Sequence, residues 1–210
     1  QIYRKDLITG EIACCSLSID GNAGSSNSYD PSIDSTGRYV VFFSAADNLV
    51  PLDTNLLIDI FRKDLMTGEI VRCSTSATGE QATYASYNPY ISADGRYVAF
   101  RTSAANLVPG DNNYVNDVFR KEVAVAPSIT SLLPTEGQIG TEVTISGSGF
   151  GSNQNSSSVS FGALQATEYV SWSDIQIICR VPSVNTGQVT VTVTTSVGIS
   201  NGVEFTIVNH

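Results

Sequence analysis

Tyr87-Asn88-Pro89-Tyr90-Ile91-Ser92-Ala93-Asp94-Gly95-Arg96-Tyr97-Val98-Ala99-Phe100 reads as two short strands joined by a turn. Tyr97 and Ala99 fall on one face and Val98 and Phe100 on the other, the two-residue period of a strand. Gly95 ends the turn Ala93-Asp94-Gly95, where glycine supplies the positive φ. The same stretch occurs 58 residues earlier, with Tyr29, Pro31, Gly37, Arg38, Tyr39 and Val40 standing for Tyr87, Pro89, Gly95, Arg96, Tyr97 and Val98. That shift also lays Arg4-Lys5-Asp6-Leu7 on Arg62-Lys63-Asp64-Leu65, Thr9-Gly10-Glu11-Ile12 on Thr67-Gly68-Glu69-Ile70, and Asn48-Leu49-Val50-Pro51 on Asn106-Leu107-Val108-Pro109. Of the first 58 positions, 29 are identical to their partners without a gap, and a third partial copy starts at Asp117-Val118-Phe119-Arg120-Lys121. A fixed period of this kind means like units stacked on one another, each burying its faces against its neighbours.

One unit resolves into four strands: Tyr87–Ser92, Arg96–Thr102, Asp59–Asp64 and Glu69–Thr75, the last two joined by a Met66-Thr67-Gly68 hairpin turn. Four antiparallel strands per repeat is the make-up of a β-propeller blade. The Tyr-x-Pro-x-Ile, Asp-Gly-Arg-Tyr-Val-Ala-Phe, Asn-Leu-Val-Pro-Gly-Asp and Asp-Val-Phe-Arg-Lys runs resemble TolB-like (WD40-like) β-propeller repeats of bacterial exported proteins, over about Gln1–Val123. The expected first domain, residues 1–125, enters at a third strand, completes one blade and leaves after a further third strand. That makes nine strands in groups of two, four and three, whereas closed propellers use about 4–8 blades. Two readings stay open. The repeats belong to a longer propeller, or copies of the chain supply the missing neighbours, with Glu11–Ser18 of one copy serving as a fourth strand of another.

After Ala124-Val125-Ala126-Pro127 the repeat stops and the charge pattern changes: ten of the eleven Lys and Arg precede Pro127, and only Arg180 follows. Val and Thr alternate along Gln188–Thr194, the mark of a half-buried strand. The runs Gly140-Thr141-Glu142-Val143-Thr144-Ile145-Ser146-Gly147-Ser148-Gly149-Phe150, Val159-Ser160-Phe161-Gly162 and Gly187-Gln188-Val189-Thr190-Val191 resemble an IPT/TIG domain, a small immunoglobulin-like β-sandwich, across residues 127–210. The resemblance implies a spacer, adhesion or interaction role without catalysis, in surface proteins or polysaccharide-acting enzymes. Tyr169 and Trp172 are expected in or beside its core. The fold class is therefore all-β: propeller-type blades in an incomplete ring, followed by an Ig-like sandwich.

Composition narrows the partners. A formal charge of -9 argues against nucleic acid, because affinity for phosphate comes mainly from cationic side chains. No apolar run approaches the ~18 residues of a membrane-spanning helix, so membrane insertion is not expected. The first residues lack a signal-peptide pattern, so any export signal has been removed or lies outside this stretch of sequence.

Chemistry is sparse. The sole histidine, His210, is the last residue, so Ser–His or Cys–His catalysis has no well-positioned base. Asp53, Asn55 and Asp59 recur as Asp111, Asn113 and Asp117, and oxygen ligands at such spacing are weak Ca²⁺ candidates. The EF-hand glycine and closing glutamate are missing, so the favoured reading is that these side chains cap turns. Apart from that Ca²⁺ site, no cofactor is expected. Cys15 and Cys73 are repeat-equivalent and too far apart, on adjacent blades, for the ~7 Å limit of a disulfide. Cys179 reads as a small buried apolar residue, and an intermolecular bridge through Cys14 or Cys15 is the less favoured alternative to four free thiols. Tyr84, Tyr87, Tyr90 and Tyr114 fall in one unit, for sugar stacking or for blade packing. The Arg-Lys-Asp triplets at 4–6 and 62–64 are expected to form cross-strand ion pairs on adjacent blades rather than a ligand site.

These readings combine into a non-catalytic secreted or cell-surface bacterial protein, structural or adhesive, with a periplasmic location as the alternative. Its expected partners are other copies of itself, as in a filament, together with a surface protein or polysaccharide. The alternative function is the C-terminal binding or spacer portion of a larger exported propeller protein, with carbohydrate-active enzymes among the parents considered.

Overall fold

The computed structural model describes residues 1–209 and divides into two compact units, Gln1–Val123 and the chain from Ala124 onward. The described residues contain no helix, so none is long and apolar enough to cross a membrane. His210 lies outside the described residues.

In the first unit β1 (Tyr3–Lys5) pairs with β2 (Ile12–Cys14). Then β3 (Ser28–Ile33), β4 (Tyr39–Ser44), β5 (Asp59–Asp64) and β6 (Ile70–Arg72) form an antiparallel sheet in chain order. The third sheet holds β7 (Ser86–Ile91), β8 (Tyr97–Thr102) and β9 (Asp117–Glu122). Two, four and three strands is the grouping that the repeat implies, and no sheet closes on itself. β6 is shorter than expected because its pairing passes to a side chain: Cys73 N donates to Ile60 O at 2.7 Å, and Ile60 N donates to Ser74 Oγ at 3.1 Å. Sheet one repeats this, with Cys15 N on Ile2 O and Ile2 N on Ser16 Oγ. Register shifts interrupt β3 and β7 at equivalent places, where Asp30 and Asn88 take φ of 49° and 52° before Pro31 and Pro89. Proline has no N–H to give a ladder, so it suits a bulge.

Apolar side chains join successive sheets. Ile2 and Cys15 pack with Val40, Phe42, Leu49 and Phe61, and one unit later Ile60 and Cys73 pack with Val98, Phe100 and Leu107. The Arg-Lys-Asp triplets do something other than the expected ion pairing between adjacent blades. Arg4 Nη1 donates to Gly37 O at 3.0 Å, and Arg62 Nη1 donates to Gly95 O at 2.9 Å, each fastening the glycine turn of the next sheet. Lys63 Nζ donates to Leu17 O and Ser18 O of the preceding unit, and Lys121 Nζ to Thr75 O and Ser76 O. A buried cation needs acceptors, and backbone carbonyls at loop ends supply them without a second charge. Asp64 keeps an ionic role, accepting from Arg38 Nε and Nη2 at 2.9 and 2.8 Å within its own sheet. Burial pushes the Asp64 carboxyl up, but these bonds outweigh it and hold the group below its usual range.

The second unit is a two-sheet sandwich. Its strands are β10 (Ser128–Leu133), β11 (Glu136–Gly137), β12 (Glu142–Ser148), β13 (Ser158–Phe161), β14 (Leu164–Gln165), β15 (Tyr169–Trp172), β16 (Gln176–Arg180), β17 (Gly187–Thr195), β18 (Gly198–Ile199) and β19 (Val203–Ile207). One sheet runs β10-β12-β16-β15, the other β11-β19-β17-β13-β14 with β18 beside β17. Inward residues of both sheets, including Ile145, Ile177, Val191 and the edge-on pair Phe161 and Phe205 with centroids 5.5 Å apart, form one core. Gly147 lets β10 and β12 approach, since a Cβ there would collide with Ser128 O. Tyr169 and Trp172 sit half-buried beside the core, in T-shaped contact at 5.4 Å. Trp172 Nε1 donates to Phe150 O at 3.0 Å. Trp172→Phe is expected to lower the stability of this unit by about 1 kcal/mol, through loss of that bond with most ring burial kept. Denaturation followed by circular dichroism checks this, and an unchanged midpoint contradicts it.

Candidate functional site

The two Asx sets occupy equivalent loops, each ending on the first residue of a third strand. Asn55 behaves as a cap: its Oδ1 accepts from Leu57 N at 3.1 Å and its Nδ2 donates to Ala82 O. Asn113 Oδ1 likewise accepts from Val115 N at 3.0 Å. Gln81 pins the first loop, accepting from Thr54 N and Asn55 N and donating to Leu52 O. Asp53 and Asp59 converge on Arg72, whose Nη2 lies 3.2 Å from Asp53 Oδ1 and whose Nε lies 3.7 Å from Asp59 Oδ2. All three side chains are nearly inaccessible, at 6% for Arg72, 3% for Asp53 and 0% for Asp59. Burial raises both carboxyls above their usual values, against the opposing effect of Arg72. Ser74 Oγ completes the cluster with a 2.5 Å bond to Asp59 Oδ1.

The second set has no such closure. Asp111 accepts only from Asn113 N, at 3.5 Å, and neither Asp111 nor Asp117 is ion-paired among the described residues. The described residues hold no group of three or more His, Cys, Asp or Glu placed to share a metal ion. Arg72 is the residue that sequence reasoning passed over. Its signal was a break in the repeat, because Cys14 stands at the equivalent place.

All four thiols are free. Cys15, Cys73 and Cys179 are buried and Cys14 is half-buried. Burial raises the Cys15 thiol and pushes Cys73 and Cys179 up to about 12, so neither of the latter forms thiolate near neutral pH. An aromatic disulfide reagent is expected to titrate Cys14 alone in the native chain and all four thiols in guanidinium. A second fast native thiol contradicts this placement.

The tyrosines divide between packing and exposure. Tyr87 packs edge-on against Phe43 at 5.6 Å, and Tyr29 meets the same ring at 5.6 Å. Tyr84, Tyr90 and Tyr114 are exposed, and no ring pair joins them among the described residues. The described residues frame several hollows. One of about 340 Å³ in the second unit is lined by Ile139, Leu164, Gln165, Thr167, Glu168 and Arg180, with Arg180 held by Glu142 at 2.7 Å and Glu168 at 3.5 Å. Another, of about 270 Å³, lies beside β9 and is lined by Phe100, Leu107, Val108, Phe119 and Lys121.

Residues 127–207 match the IPT/TIG domain family. A cyclomaltodextrin glucanotransferase of Geobacillus stearothermophilus is 40% identical over 99 residues, covering 42% of this chain and 14% of that protein. One from Paenibacillus macerans is 37% identical over 76 residues, covering 36% of this chain and 11% of the relative. The chain thus spans a small fraction of the relatives it matches. Among solved structures, an auxiliary nutrient binding protein from Bacteroides thetaiotaomicron is similar over 40% of this chain and 21% of its own, at 22% identity and a TM-score of 0.33.

Proposed function

We propose that this chain, with an IPT/TIG domain at 127–207, is a non-catalytic, carbohydrate-associated section of an exported, surface-located protein. In this reading the 58-residue repeats are β-propeller blades that present a binding surface, and the IPT/TIG domain sets its spacing. The observation that carries the reading is the 40% identity to a cyclomaltodextrin glucanotransferase, an enzyme that by its name handles α-glucan rings, over a stretch amounting to 14% of that enzyme. The hollow around Gln165, Thr167, Glu168 and Arg180 offers hydrogen-bonding groups between apolar flanks, the usual composition of a small polar-ligand site. A surface rich in Ser, Thr and Asn, with 15% charged residues, suits an exported β-protein that meets other surfaces.

Native electrophoresis through gels containing soluble starch tests the reading. Retardation that grows with starch concentration, and is relieved by added cyclomaltodextrin, is the expected result. Migration unchanged by starch overturns the glucan assignment.

A further inference from the structure

We propose that the open edge of β9 is a strand-capture site for a partner segment of defined pattern: an apolar residue, any residue, a basic residue, a small residue and serine. The inference stands apart from the glucan reading, because peptide capture and starch retention are measured separately.

The pattern comes from what covers the equivalent edge elsewhere in the chain. On β5, Lys63 faces Ile70, Arg62 faces Val71 and Phe61 faces Arg72. Beyond them Cys73 N and Ser74 Oγ take up the main chain of Ile60. Each of these contacts has a vacant counterpart on β9. Phe119 is half-buried, whereas Phe61 is fully buried. Ile70 packs in one cluster with Phe42, Leu49 and Phe61, and around Phe100, Leu107 and Phe119 the same place is the 270 Å³ hollow. Asp117 stands where Asp59 receives Ser74 and Arg72, and Asp111 where Asp53 receives Arg72.

Three needs therefore coincide on one edge. Among the described residues the strand's outward N–H and C=O groups have no ladder partner, Phe119, stacked on Phe100, stays half-open towards the hollow, and two carboxylates have no cation. Strand addition satisfies the first through main-chain bonds, while alternate side chains supply selectivity. A basic residue opposite Phe119 meets the carboxylates, and complementary charge fixes register.

A second copy of this chain does not meet these needs. Its β6 is already paired to β5, and its β2 is paired to β1 and carries Cys14 where the cation is required. The occupant is a strand from another polypeptide segment.

The test titrates a fluorescent peptide with the sequence of residues 69–75, Ala replacing Cys73, into the full chain and reads anisotropy. Saturable binding is expected. Reversing the peptide's basic residue to Glu is expected to weaken it about tenfold or more, since one member of a charge pair is then opposed rather than matched. Asp117→Asn in the chain is expected to weaken it similarly, with Asp111→Asn as a second variant should the first fold poorly. No saturable binding up to about 1 mM peptide overturns the proposal, as does equal affinity for the charge-reversed peptide. A dimer of the chain that Asp117→Asn dissolves also overturns it, by making a second copy the occupant.

Discussion

Arg72→Met is expected to destabilise the first unit by about 3–5 kcal/mol, the usual penalty for stripping one partner from a buried ionic group. The residue reaches Asp53 and Asp59, whose side chains are 3% and 0% accessible. Neither contact is a well-aligned hydrogen bond, so the cation acts mainly through its charge. Met fills a similar volume and leaves two nearly inaccessible carboxylates without their cation. The sign of the pH dependence follows from their raised pKa values. An acid whose folded-state pKa lies above its unfolded value binds more protons when folded, so the stability it confers at low pH is lost as pH rises through that window. Without Arg72 the window widens. The deficit of the variant should therefore be largest near neutrality and shrink as the solution becomes acidic enough to protonate both groups. Denaturation midpoints of the two proteins across that range check this, and a deficit that is small or flat with pH contradicts it. Adding Asp53→Asn and Asp59→Asn to the variant is expected to recover much of the loss, because neutral amides need no cation.

Gly95→Ala is expected to cost about 2–5 kcal/mol, from two sources. Gly95 takes φ of +75°, where an L side chain is worse by about 1–2 kcal/mol. Its added Cβ would also lie 2.5 Å from Cδ2 of Tyr39, and forcing extra carbon into a filled site costs about 1–3 kcal/mol. Tyr39 cannot easily move. The Arg62 guanidinium stacks 4.4 Å from its ring centroid and donates to Gly95 O, so ring, cation and turn hold one another. Gly68→Ala separates the two sources. Gly68 has φ of +79°, and an added Cβ there would meet nothing within 4 Å, so it should lose only the conformational part. Equal losses at the two sites would show that the joint between the second and third sheets is looser than its geometry.

Much of the architecture was legible because it depends on local chemistry that repeats. The turn glycines, the two-residue alternation around Tyr97-Val98-Ala99-Phe100 and the prolines at bulges each specify backbone shape where they stand. The roles of Arg62 and Lys63 were not legible, because their partners are main-chain carbonyls, which leave no trace in residue identity. Facing Asp64 in the sequence made ion pairing look natural, yet Arg38 takes that carboxylate from the adjacent strand. The Asx loops show the same limit. Asn55 and Asn113 cap turns as local sequence suggests, while Asp53 and Asp59 depend on Arg72, a residue that is conspicuous only by departing from its repeat partner Cys14. The open edge of β9 was visible as a missing fourth strand, but the chemistry it asks of a partner emerged only when each contact on β5 was matched to its vacant equivalent.

The central claim, a carbohydrate-associated role without catalysis, is tested most directly by incubating the full chain with soluble starch and following both binding and product. The account predicts saturable heat of binding in calorimetry, with no new reducing ends and no cyclic dextrins released. Product accumulating beyond one equivalent per chain, or starch that neither binds nor reacts, would contradict it.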